Sequence, residues 1–292
     1  MKIFITGGTG FIGRNLVEKL SKTYFVYAPS RKELDLTDEE KTRKFIKENK
    51  FDVIVHCATK PGHRNAKDPT NIFYTNVLMF LNILKNHEYF GKLIFLSSGA
   101  IYDQRFYKPK MTEEYFGEHI PVDETGLSKY VCAKLLENLP NSVELRPFGV
   151  FGKYEDYAIR FISNAICKAI FDLPITIKKN RKFDYIFIDD LVNIIEYFIL
   201  NNSKYKAYNV TPDNSVELLE IARKILQISK KSLPIIIKEN GMGIEYSGNN
   251  ERLKKEIPDL KFTEIDMALE KLYYWYLENK DKIDYNLLLV DK

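Results

Sequence analysis

Tyr130 and Lys134 stand four residues apart in the stretch Gly126-Leu-Ser-Lys-Tyr-Val-Cys-Ala-Lys134, a spacing that puts both on one face of a helix. Such a pair can move a proton. A free phenol has a pKa near ~10, and an adjacent ammonium stabilises the phenolate and lowers that value. The tyrosine then passes a proton to or from a carbonyl oxygen near neutral pH. Ser98, just after the apolar run Lys92-Leu-Ile-Phe-Leu96, is placed to hydrogen-bond the same oxygen. The spacing alone carries little weight, because with 19 tyrosines chance matches arise, and Tyr276 with Lys280 is one. That second pair lies near the C-terminus with no cofactor-binding elements around it. The chemistry is therefore assigned to Ser98, Tyr130 and Lys134.

The elements that must position these groups begin at residue 2. Lys2 to Thr6 reads as a short strand, and Arg14 to Lys22 as a helix with Leu16, Val17 and Leu20 on one face. Between them lies Gly7-Gly-Thr-Gly10-Phe11-Ile12-Gly13. Strand, glycine turn and helix in that order make a phosphate cradle. A diphosphate can approach the main chain at Gly10, Gly13 lets helix and strand pack closely, and the first helical turn presents free N–H groups to the charge. The second strand, Tyr24 to Ala28, ends at Pro29-Ser30-Arg31. An acidic residue here takes the ribose hydroxyls of NAD, whereas an Arg pairs with the extra phosphate of NADP. Arg31 favours NADP(H); Glu33 and Asp35 slightly beyond keep NAD(H) open. Phe51 to His56 is a further buried strand, and Cys57-Ala58-Thr59-Lys60 supplies small residues where a flat cofactor must pass. His56, Lys60 and His63 are read as structural or solvent-facing.

Strands and helices alternate through Ser142 to Arg146, which means a parallel sheet covered on both faces. Asp68 to about Glu88 reads as a helix. Residues 103–125 form a long polar loop of the kind that is usually functional. After Gly152 come a helix from about Asp156 to Phe171, strands at Ile175 to Lys178 and Phe183 to Ile188, a helix from Asp189-Asp190, and shorter elements to the end. The expected fold is α/β, a doubly wound parallel sheet with a smaller C-terminal substrate lobe. The dinucleotide-binding domain spans 1–152 plus about 183–210, and the lobe about 153–182 plus 211–292.

Composition bounds the rest. The chain has 292 residues, 45% hydrophobic and 29% charged, which fits a soluble globular protein. A net charge of +4 without a long basic run does not imply nucleic acid. Cys57, Cys132 and Cys167 are far apart, show no metal spacing and are odd in number, so neither a metal nor a disulfide framework is expected. No apolar run approaches the ~20 residues that span a bilayer, and the first strand leaves no room for a signal peptide. The expected location is the cytoplasm, with no membrane partner.

The glycine turn, Ser98, Tyr130, Lys134 and the Arg146-Pro147 strand end, in that order, resemble the extended short-chain dehydrogenase/reductase (NAD-dependent epimerase/dehydratase) family. The branch is that of the nucleotide-sugar 4-ketoreductases and epimerases. Arg31, Glu33 to Asp38 and the Ser97-Ser98 strand end are similar to its GDP-fucose synthase group. The resemblance implies a Rossmann-type fold, a nucleotide-sugar substrate and a homodimer formed through helices at 68–88 and 126–138. It also implies that Lys134 holds the nicotinamide ribose and that Asp35 and Leu36 hold the adenine edge. Asn76 would support the site, and Pro147 and Val150 would contact the nicotinamide amide through main-chain atoms. Phe183 to Asp190 and Asn250 to Pro258 resemble nucleotide-sugar elements.

Departures from the family pattern narrow the reaction. The sugar dehydratases carry an Asp-Glu pair where Gly99 and Ala100 stand, and the Cys used for 3,5-epimerisation would fall at Ala100. What remains is hydride transfer at one carbon. An Arg frequent at position 183 is Phe183 here, which leaves Arg181 and Arg252 as candidates for the substrate phosphate. The leading expectation is NADPH-dependent reduction of a 4-keto nucleotide sugar with Tyr130 as proton donor. The alternatives are a 4-epimerase that keeps NAD bound and a non-catalytic NAD(P)-sensing regulator.

Overall fold

Alternate residues of the first strand point to opposite sides, and each side has its own core. A computed structural model describes residues 1–63 and 65–290. In β1 (Lys2–Thr6), Ile3 and Ile5 enter one apolar cluster and Phe4 the other, as the two-residue side-chain period of a strand requires. The chain then alternates through α1 (Phe11–Leu20), β2 (Phe25–Tyr27), α2 (Glu39–Asn49), β3 (Val53–His56), α3 (Ile72–Leu84), β4 (Lys92–Leu96), α4 (Glu124–Leu136) and β5 (Ser142–Pro147).

β6 (Gly149–Phe151), α5 (Phe161–Ile170), β7 (Ile175–Asn180), β8 (Lys182–Phe183), β9 (Tyr185–Phe187) and α6 (Ile188–Leu200) follow. β10 (Ala207–Val210) returns to the sheet. Then come β11 (Val216–Glu217), α7 (Leu218–Ser229), β12 (Ile235–Met242), α8 (Glu251–Glu256), α9 (Ile265–Glu278) and α10 (Tyr285–Leu288).

The main sheet is parallel throughout, in the order β10-β5-β4-β3-β1-β2. This is the α/β doubly wound Rossmann-like architecture the sequence led us to expect. The order reverses between β1 and β3, and sheets of this class bind ligands in that crevice, outside the carboxyl ends of the strands. The short pairs β6–β9, β7–β12 and β8–β11 lie outside this sheet.

Local chemistry moves several boundaries. The Asp68 carboxylate accepts from the Thr70 N–H and hydroxyl and pairs with Lys60 at 2.6 Å, and Asn71 sits at φ 52°. These bonds hold 68–71 as a loop, so α3 starts at Ile72 and not at Asp68. Likewise 156–160 are turns before α5. The loop at 103–125 is pinned rather than free: Met111 bridges Gly248, and the Glu113 carboxylate accepts the Asn209 N–H at 2.8 Å.

Candidate active site

The glycine turn closes the crevice from the β1 side. Gly7 has φ +68°, and a methyl added there would lie 2.8 Å from the Ala58 Cα. A methyl on Gly13 would lie 2.2 Å from the Gly7 carbonyl oxygen. The Gly10 N–H donates to the Gly7 carbonyl at 2.9 Å, and Gly10 caps α1 without a side-chain bond, leaving the first-turn N–H groups to a ligand. Opposite, Thr6 Oγ1 accepts the N–H groups of both Cys57 and Ala58 and meets His56 Nδ1 at 2.8 Å. Burial, with Lys129 nearby, pushes His56 down to about 3, so it is a neutral strut. Asn76 accepts the Lys60 N–H at 2.6 Å and donates to the Lys60 carbonyl, which fixes the loop after β3.

Between the two loops lies a cleft of about 470 Å³. Gly7, Gly10, Phe11, Ile12 and Gly13 form one wall, and Ala58 lies across from them. Arg31, Asp35 and Leu36 close its far end. Arg31 is exposed and its Nε lies 3.2 Å from Asp35; Asp35 also accepts from the Thr37 N–H and hydroxyl. The Glu33 carboxylate is occupied by the Ser30 N–H at 2.7 Å, and Ala28, Pro29 and Ser30 offer no acid at the strand end. The cradle that a Cβ would fill, the helix N-terminus and the cation at the rim all fit a phosphorylated dinucleotide.

A second cavity of about 490 Å³ adjoins the first, sharing Phe11, Ile12 and Arg160 with it. Ser98 and Arg181 line it together with Pro147 and Val150, which the resemblance had assigned to the cofactor. Arg160, at the N-cap of α5, faces both cavities and went unnoticed in the sequence because nothing in its local pattern marks it. With Lys179 it joins Arg181 in making this cavity cationic, which suits a diphosphate. Arg252 is elsewhere. Its guanidinium bonds the Glu114 carboxylate and the Ala207 carbonyl, beside Glu113, and it lines a separate cleft with Tyr205 and Lys255. The Asn250–Pro258 stretch packs α8 on β10, so Arg252 is withdrawn as a substrate ligand.

Helix α4 gives the largest departure from expectation. Lys134 is exposed, pairs with Glu137 at 2.9 Å and lies over the Phe116 ring; Tyr130 packs on Phe116 as well. Neither lines either cavity. The cation on the buried face is Lys129. Its Nζ donates to the Leu96 carbonyl at 2.7 Å and lies 4.9 Å from the Phe95 ring centroid, under the end of β4. Burial pushes Lys129 down, opposed by Cys132, Cys57 and Glu144. Cys57 itself lines the cofactor cleft, and burial raises its thiol to about 12, so it stays protonated.

Five residues at about 100° each carry a helix about 140° past a full turn, and that puts the two lysines on different faces. Lys129, Cys132, Ala133 and Leu136 share the buried stripe. A lysine on that stripe was the signal available in the sequence. Four residues before Lys129 stands Thr125, whose Oγ1 would lie 3.1 Å from a Cβ added to Gly62. Among the described residues, no cluster of His, Cys, Asp or Glu could hold a metal ion, and no helix is long and apolar enough to cross a membrane.

The model of the NAD dependent epimerase/dehydratase family matches residues 3–211. GDP-L-colitose synthase of Yersinia pseudotuberculosis is 25% identical, over 96% of this chain and 99% of that protein. Among solved structures, MlghC, the GDP-mannoheptose C4 reductase from Campylobacter jejuni with NADP bound, superposes with TM-score 0.80 at 23% identity, over 94% and 98% of the two chains. A GDP-L-fucose synthetase from Naegleria fowleri bound to NADP gives 0.83 at 16%, over 96% and 93%. At such identities the two superpositions speak for the fold.

Proposed function

The chain belongs to the NAD dependent epimerase/dehydratase family, and on that premise we propose that it is an NADPH-dependent 4-ketoreductase of a nucleotide sugar. The observation that carries the reading is the meeting of the two cavities at Phe11, Ile12 and Arg160. A dinucleotide cleft with Arg31 at its rim opens onto a cationic cavity that holds Ser98. Bound in that cleft, the reduced cofactor would supply a hydride. Ser98 donates a hydrogen bond to the carbonyl oxygen, and Lys129, bonded to the Leu96 carbonyl, braces the strand end that delivers the serine. Arg160 and Arg181 take the diphosphate. Gly99 and Ala100 put no acid or base beside the sugar, so neither dehydration nor 3,5-epimerisation is supported. The names of the relatives above, a GDP-L-colitose synthase, a GDP-mannoheptose C4 reductase and a GDP-L-fucose synthetase, fit the same substrate class.

The test is oxidation of NADPH by the purified protein against GDP-, dTDP-, UDP- and CDP-linked 4-keto sugars, with products identified by mass and NMR. Turnover with NADPH and a 4-hydroxy product supports the reading. NAD that co-purifies, with interconversion needing no reductant, would make it a 4-epimerase. Intact NADPH binding without turnover on any substrate would make it a sensor. A homodimer belongs to the same proposal: α3 and α4 pack side by side and leave Tyr74 and Leu135 exposed, and sedimentation velocity decides it. So does a cytoplasmic location.

A further inference from the structure

We propose that Tyr246 is the proton donor of the reduction, a phenol brought to the reacting oxygen by the segment after β12 and not by α4; this rests on the ketoreductase reading above. Helix α4 presents no phenol to either cavity. The residue four before the buried Lys129 is Thr125, and an aliphatic hydroxyl is a far weaker acid than a phenol. The Tyr130 ring is packed on Phe116.

Tyr246 does line the substrate cavity. Its hydroxyl lies 3.5 Å from the Ser98 Oγ. That is long for a direct O–H···O bond, and a carbonyl oxygen accepting from both hydroxyls would sit between them. The phenol is fixed on every side. The Tyr246 N–H donates to the Lys182 carbonyl at 3.0 Å, and its carbonyl accepts the Asp184 N–H at 3.2 Å. Its ring meets Phe148 at 4.8 Å, Tyr107 at 4.9 Å and Phe183 at 5.8 Å between centroids. Gly99 makes room for it: a Cβ there would stand 2.6 Å from the Tyr246 hydroxyl. The glycine that removes a dehydratase acid thus admits a different one.

Held in the cofactor cleft, a reduced nicotinamide would supply the hydride to the ketone carbon, and the C=O π pair would move onto oxygen. The O–H bond of Tyr246 breaks, its proton joins that oxygen, and its electron pair stays on the phenolate, which solvent reprotonates through the cavity mouth. The charged and titratable groups facing the phenol are Arg160, Asp123 and Tyr107, whose hydroxyl is hydrogen-bonded to it. Enclosure of the hydroxyl pushes Tyr246 up to about 12, so at neutral pH it carries the proton a donor must have.

Tyr246→Phe keeps the ring stacks and removes only the hydroxyl. On a substrate the wild type reduces, it is expected to lose about 100-fold or more in kcat, with KM and NADPH affinity changed less than threefold. Tyr130→Phe is expected to stay within twofold. A Tyr246→Phe protein that turns over within threefold of wild type overturns the proposal. A second readout needs no turnover. Binding of NADP⁺ brings a positive ring to the site, so ultraviolet titration should show one tyrosine ionising at lower pH in the complex than in the free protein. That change must vanish in Tyr246→Phe. Its survival there, or its absence in wild type, overturns the assignment even if the substrate class is wrong. Should Tyr246→Phe not fold, 3-fluorotyrosine at 246 keeps size and hydroxyl while acidifying the phenol. The same titration must then shift down, and an unshifted curve counts against the proposal.

Discussion

Lys129 Nζ donates to the main-chain carbonyl of Leu96 at 2.7 Å, two residues before Ser98. This bond ties the buried face of α4 to the strand end that delivers the serine, with Lys129 near enough to Cys57, which lines the cofactor cleft, to interact with it electrostatically. Lys129→Met preserves most of the side-chain volume and removes the charge. A charge-assisted hydrogen bond is worth about 1.5–3 kcal/mol, so kcat/KM for the reduction should fall about 10- to 100-fold. Lys134→Met severs only an exposed pair with Glu137 and should stay within about twofold. Steady-state kinetics on both variants, with fluorescence titration of NADPH, check this. Equal losses in the two would refute the placement.

The same pair of lysines shows where the sequence was legible. The Gly7 to Gly13 turn between a strand and a helix carries its own mechanism, and the structure closes it against Ala58 as that mechanism requires. The parallel sheet followed from alternation of strands and helices, because both are signals of a few consecutive residues. Helix α4 was harder. Two i,i+4 pairs, Thr125 with Lys129 and Tyr130 with Lys134, follow one another five residues apart. Only tertiary packing says which face is buried. Residue types favoured the pair with a phenol; the apolar stripe through Cys132, Ala133 and Leu136 favoured the other. Arg160 and Tyr246 were not legible at all, since each reaches the site from a loop or a short pairing far away in sequence.

Substituting Gly13 with Ala tests the cradle. The added methyl would sit 2.2 Å from a main-chain oxygen, and backbone cannot rotate aside as a side chain can. Forced overpacking of this kind costs about 1–3 kcal/mol. We expect a lower melting temperature and NADPH affinity weakened at least tenfold by calorimetry. Unchanged binding would mean that the ligand does not use this turn.

Arg31 should decide between the two dinucleotides. It is exposed at the rim and paired with Asp35 at 3.2 Å, while the carboxylate nearest the strand end, that of Glu33, is taken by the Ser30 N–H. Arg31→Ala should weaken NADPH about 10- to 100-fold, from the loss of a charge-assisted contact, and leave NADH nearly unchanged. A parallel loss for both cofactors would show that Arg31 acts on the fold and not on the extra phosphate.

Arg160 and Arg181 should act on the substrate. Both line the cavity that holds Ser98, while Arg252 is tied to Glu114 in another cleft. Alanine at 160 or 181 should raise KM for the nucleotide sugar about tenfold or more with little change in kcat, the pattern of lost uniform binding. Alanine at 252 should leave KM alone and lower stability. A KM effect confined to Arg252 would reverse the assignment.

Asp184 supplies a stability signature in pH. Its carboxyl is fully buried; burial raises it to about 6, against the pull of Lys110 and of the Gly248 N–H, which donates to it at 2.8 Å. The folded protein therefore holds this proton over a pH range in which the unfolded chain has released it. Its contribution is complete below pH about 4, declines as pH rises through about 6 and is flat above. The rise to about 6 from the ordinary carboxylate value corresponds to about 3 kcal/mol. Asp184→Asn is neutral at every pH, and its amide oxygen can still accept the Gly248 N–H. Subtracting its unfolding free energy from that of wild type, by urea denaturation at closely spaced pH values, should leave a curve that falls between pH about 4 and 6. His56, pushed down to about 3, contributes with the opposite sign, losing stability as pH falls below its usual value, but it is common to both proteins and cancels. A flat difference curve would mean that Asp184 is ionised in the fold throughout, held so by Lys110.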